Sequence, residues 1–97
     1  MYHWQAQYFL DLITTELYTG DIRMLISEKL ATAISTQVGR EFEAMLQYLS
    51  VAFYFDRESL PQLAARFYDQ SEEEKMHAMK LAHYVTDAGG MLTVPAI

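Results

Sequence analysis

Between Met24 and Phe55 the chain contains no proline and a single glycine, Gly39, while seam residues recur at alternating steps of four and three: Ile34, Val38, Glu41, Met45, Tyr48, Ala52. That spacing marks one face of an α-helix of about eight turns, on the order of 45 Å of rod. A rod this long cannot close on itself. It suits a bundle or coiled coil better than a compact globule, and it must find a partner for its apolar stripe.

The partner follows in sequence. Asp56-Arg57-Glu58-Ser59 breaks the pattern, and Ser59 is expected to cap a second helix that carries Pro61 in its first turn. The second seam reads Leu60, Leu63, Phe67, Ser71, Glu74, Ala78, Leu81, Val85, and Gly89-Gly90 supplies a stop signal. Helices over about 24–55 and 60–88, joined by about four residues, must pack as an antiparallel hairpin. The expected fold class is all-α. Each helix covers one flank of its partner and leaves the other wet, so the hairpin is half of a four-helix bundle. The second hairpin is expected from another copy, by self-association through the seam, or from a C-terminal half. Met91–Ile97 reads as the start of a connection.

Residues 1–23 form a separate N-terminal extension. Tyr8, Leu12 and Leu17 support a short helix that Gly20-Asp21 would end, and Met24 is an alternative start of the chain. Residues 24–97 make the remaining, partial domain.

Composition removes several function classes. With 52% hydrophobic and 21% charged residues, the 97-residue chain is not a disordered segment. It has no cysteine, which excludes disulfides, thiolate zinc sites and cysteine nucleophiles. A net charge of -6 repels phosphate backbones, so no nucleic-acid partner is expected. No stretch approaches the roughly 20 apolar residues of a membrane span, and no basic cluster precedes the apolar N-terminus, so a cytoplasmic location without membrane contact is expected.

Two residues sit where apolar side chains belong. Glu41 lies in the first seam and Glu74 in the second, with His77 three residues further on. A carboxylate in a bundle core costs several kcal/mol unless it is compensated. Glu41 lies fourteen residues before Phe55 and Glu74 fourteen after Leu60, which puts both about 21 Å from the turn. His77 joins them from the adjoining turn. A divalent cation is the natural compensation, and oxygen ligands with one imidazole suit iron or manganese. Di-iron carboxylate bundles use single Glu ligands on two helices and Glu-x-x-His on two others; this chain carries one of each, half the set. Glu-x-x-His alone arises often by chance, and gains weight here from its seam position and its level with Glu41. Tyr48, two turns from Glu41 on the same face, is placed to pack the core, to hydrogen-bond a ligand or to give up an electron. Glu43, Glu72 and Glu73 read as solvated, His3 and His83 as structural or exposed, and Met45, Met76 and Met79 as filler.

The run Arg-Glu-Phe-Glu-Ala-Met-Leu-Gln-Tyr from Arg40 resembles a bacterial non-haem ferritin. So do Tyr-Phe-Asp-x3-Leu-Pro-Gln-Leu-Ala from Tyr54 and Phe-Tyr-Asp-Gln-Ser-Glu-Glu-Glu-Lys-Met-His-Ala-Met from Phe67. The resemblance covers roughly Ile26 to Pro95, the first two of that family's four helices. It implies a ferroxidase that takes Fe(II) and O2 and stores the ferric product. By resemblance Glu41, Glu74 and His77 fall on the first iron site of a di-iron centre, with Glu74 shared between the irons, and Tyr48 falls on the tyrosine beside it. Haem-carrying relatives have Met directly after the shared Glu; Lys75 stands there, so no haem is expected. The third and fourth helices have no counterpart, which reads as a truncated chain or as a two-helix form that pairs with itself. Another ferritin-like di-iron oxidase, or a metal-free hairpin serving only in dimerisation, are the alternatives.

Overall fold

Ser27 starts the first helix. In the computed structural model, which describes residues 26–97, its hydroxyl accepts a hydrogen bond from the Leu30 N–H at 3.1 Å. That bond satisfies one of the orphan donors of the first turn. Helix α1 spans Glu28–Arg57 and α2 spans Pro61–Asp87; among the described residues there is no strand. Glu28 at the start and Arg57 at the end of α1 oppose the helix dipole favourably. The two helices pack against each other along their length as the expected all-α hairpin. No helix among the described residues is long and apolar enough to cross a membrane. The extension over residues 1–23, Met24 and His3 lie outside the described residues.

The turn corrects one expectation. Ser59 does not cap α2; Leu60 holds that position, with no side-chain cap bond. Ser59 instead ends α1, in a left-handed conformation at φ 59°. Its N–H donates to the Asp56 carbonyl at 3.1 Å, and the Leu60 N–H donates to the Phe55 carbonyl at 2.9 Å. This is a Schellman closure, built here without glycine. Helix α2 closes in the same way: Gly89 at φ 81° donates to Thr86 O at 3.2 Å, and Gly90 donates to Val85 O at 2.9 Å. Pro61 opens α2 as expected, its missing N–H costing nothing in the first turn.

The core is sorted along the rod. At the end away from the turn, Ile26, Ala31, Ile34 and Val38 pack against Ala78, Leu81 and Val85. Each large side chain buried here contributes about 1.5–3 kcal/mol. Towards the turn the interface changes to small residues and rings: Ala44, Tyr48 and Ala52 are buried on α1, Ser71 and Ala64 on α2, and Phe67 is half-buried. Three seam assignments shift. Met45 is only partly buried and Ala44 takes its place, while Leu60 and Leu63 remain 43% and 40% exposed.

Residues beyond Gly90 return along α1. The Thr93 N–H donates to Ser35 Oγ at 3.1 Å, and the Pro95 ring lies on Gly39. A Cβ at Gly39 would stand 2.8 Å from Pro95 Cδ and closer still to Cγ. The glycine that interrupts the first seam therefore makes room for this strap.

Candidate metal centre

Glu41 on α1 and Glu74 on α2 are both fully buried, at 0% exposure. They sit where the apolar core gives way to the aromatic end. The equal distances to the turn bring them face to face, and His77, one turn further along α2, leans in beside them. One ligand atom from each of the three lies within 4.8 Å of the other two. His77 Nδ1 is 3.8 Å from Glu74 Oε2, and the imidazole keeps 17% side-chain exposure. The centre is thus buried on its carboxylate side and reachable from solvent on its imidazole side.

Each carboxylate is held by a glutamine one turn before it. Gln37 Nε2 donates to Glu41 Oε1 at 3.1 Å, and Gln70 Nε2 donates to Glu74 Oε1 at 3.2 Å. The two bonds repeat one i to i+4 geometry on both helices. They hold one oxygen of each carboxylate, Oε1, in place. Such partners fix the orientation of a ligand and tune its basicity. Sequence reasoning missed both glutamines. The signal was present, a Gln four residues before each misplaced Glu, but amides on a helix face are too common to stand out.

Burial disfavours the charged form of Glu41, and the neighbouring Glu74 carboxylate adds to that, so its pKa rises to about 8 from the usual 4.5. The Gln37 hydrogen bond pulls the other way and is outweighed. Two buried carboxylates forced together gain most from a bound cation, which displaces the proton. Oxygen and imidazole donors without thiolate suit a first-row metal such as iron or manganese.

The remaining expectations about side chains can be placed. Glu43, Glu72, Glu73 and His83 are on the surface, as are Met76 and Met79. Tyr48 is buried two turns from Glu41, its ring 6.0 Å from that of Phe67.

Comparison with known proteins adds an independent line. The family model of the ferritin-like domain matches residues 31–97, which takes in both carboxylates and the histidine. The chain belongs to the ferritin-like family. It is 41% identical over 69 residues to ferritin BfrB of Mycobacterium tuberculosis, covering 71% of this chain and 38% of that protein. To a bacterial non-heme ferritin of Bacteroides fragilis it is 41% identical over 73 residues, covering 75% and 46% respectively. A Staphylococcus aureus protein of the same name is 34% identical over 65 residues, covering 67% and 39%. The chain therefore spans about two fifths of the length of the curated relatives it matches. No solved structure gives a significant match. The matched region carries one Glu and one Glu-x-x-His, both on the hairpin described above.

Proposed function

We propose that this chain binds Fe(II) at Glu41, Glu74 and His77 and supports its oxidation by O2, as part of an iron-storing assembly. The observation that carries the reading is the meeting of three ligand atoms within 4.8 Å at a buried point, each carboxylate fixed by its own glutamine. Glu41 and His77 hold one iron. Glu74, 3.8 Å from the His77 ring nitrogen, would be shared with a second iron, whose other ligands would come from a second hairpin packed on the seam. A second copy would supply another Glu and another Glu-x-x-His, the complete di-iron requirement. The names of the relatives, ferritins all, support iron as the substrate.

The protein's part is geometric and electrostatic. Paired carboxylates neutralise the cation, the imidazole completes an oxygen-rich set, and burial keeps competing water away from the ligands. Tyr48 is proposed as the aromatic group beside the centre, able to donate an electron when the irons are oxidised. Haem has no part in this scheme, since Lys75 follows Glu74.

Anaerobic titration with Fe(II), followed by air, tests the reading. Iron bound in proportion to chain and a ferric absorbance that rises on aeration are expected. A folded sample that takes up no iron would remove it. The rival reading, a metal-free dimerisation hairpin, draws on the exposed Leu60, Leu63 and Phe53. Under that reading Glu41→Ala with His77→Ala stabilises the metal-free chain and leaves metal affinity unchanged; under ours the same pair abolishes iron uptake.

A further inference from the structure

The turn end of the hairpin contains a continuous run of aromatic rings. The Tyr48 ring lies 6.0 Å from that of Phe67, Phe67 stacks on Phe55 at 5.6 Å, and Phe55 meets Tyr54 edge-on at 5.5 Å. All three separations are in the range of direct ring contact. The run begins in the buried seam and ends in solvent, where Tyr54 is 53% exposed. It crosses from α1 to α2 and back, so it is a product of the fold and not of one helix face. The two readily oxidised rings stand at its ends, and two phenylalanines bridge them.

We propose that this run is an electron relay, which carries oxidising equivalents from the metal centre to Tyr54 at the surface. The proposal rests on the iron-oxidising reading of the centre. Helical side chains lean towards the N-terminus of their helix, which tilts the Tyr48 ring towards Glu41 and the Phe67 ring towards the turn. The geometry therefore points inward at Tyr48 and outward from Phe67. Electron transfer weakens steeply with gap, and rings in contact leave no gap wider than a van der Waals separation. Tyr54 lies about 200° around α1 from the buried Ala52, so a second hairpin seated on the seam would not cover it.

The step balances as follows. Hydrogen peroxide, acting through bound iron, takes one electron from Tyr48. An electron from Tyr54 passes through Phe55 and Phe67 to restore Tyr48, and the Tyr54 phenol releases its proton to water, leaving a neutral radical. A phenol in solution returns one electron and one proton to the Tyr54 radical after each event, itself becoming a phenoxyl radical, and two such events deliver the two electrons and two protons that convert one peroxide to two waters. The Arg57 guanidinium, 5.8 Å over the Tyr54 ring, opposes positive charge there, so oxidation has to be coupled to proton loss. A small one-electron reductant in solution, a phenol for instance, is the substrate class for which an exposed tyrosyl is competent. The shallow pocket of about 280 Å³ formed by Ser50, Phe53, Tyr54 and Arg57 is where it would meet the ring.

The test is radical trapping on the full chain. Fe(II) is loaded anaerobically, peroxide is added with a nitrone spin trap present, and tyrosine adducts are located by peptide mass spectrometry against measured iron content. An adduct at Tyr54 is expected, reduced several-fold in Phe67→Leu and likewise in Phe55→Leu, which breaks the path on the other helix. Tyr68, whose ring pairs with Phe53, is the internal control and should not respond. An undiminished Tyr54 adduct in both Phe variants, or its absence while iron is oxidised, would overturn the relay. Because the chain has no cysteine, Gln47→Cys accepts a single ruthenium photo-oxidant next to Tyr48 and drives the same path without iron. Phe67-dependent trapping at Tyr54 in that sample upholds the relay even if iron uptake fails; trapping that ignores Phe67 ends it.

Discussion

A carboxylic acid shut away from water beside a second carboxylate keeps its proton far into the neutral range, and Glu41 does so up to about pH 8. The unfolded chain releases that proton near 4.5. Between these two values the folded, metal-free chain binds more protons than the unfolded one, so stability falls as pH rises across the window and is greatest below it. Thermal melts of the metal-free chain should therefore show a midpoint that declines from pH 5 to pH 8, and a flatter profile in Glu41→Gln. Metal affinity should run the opposite way over the same window, because the cation must displace the proton. The glutamines belong to this scale as well. Gln37→Leu and Gln70→Leu each remove the hydrogen bond that aims a carboxylate. Each should weaken metal binding by about 10–100-fold, read by anaerobic titration, with little change in helix content.

At the scale of the elements, two helix ends close with one hydrogen-bond pattern and different residues. Gly89 adopts its positive φ without a side chain; Ser59 adopts a similar one with a side chain. Replacing Ser59 by Gly should stabilise the chain by about 1 kcal/mol, the usual cost of a left-handed L-residue. Gly89→Ala, which meets nothing within 4 Å, should cost about as much for purely conformational reasons, and urea melts measure both. The helices themselves were legible in the sequence because their periodicity is long, and so was the pairing of Glu41 with Glu74, because residue count along two rigid rods converts directly to height. Ser59 misled because serine before a proline-containing first turn is a strong cap signal, and a one-residue offset moves it from one helix start to the other helix end. The strap over Gly39 was invisible. Its contacts join residues far apart in sequence, and neither Ser35 nor Pro95 has a periodic pattern to announce it.

For the whole molecule, the exposed remainder of the seam governs behaviour. Leu60 and Leu63 are exposed apolar residues at the turn end of α2, and Phe53 and Leu46 are exposed on the other helix. If a second hairpin completes the bundle there, Leu63→Glu should shift sedimentation towards the monomer and lower metal affinity in the same sample. Loss of one without the other would separate the interface from the centre.

The equal run of residues from either carboxylate to the bend also restricts how such a protein can change in size over evolution. An insertion in one leg alone slides its acid past the opposite one and swings it off the shared face. Tolerated length differences should come in matched blocks of about seven residues, two turns, one in each leg. Homologues with an unmatched block between these acids and the bend should have lost the histidine as well.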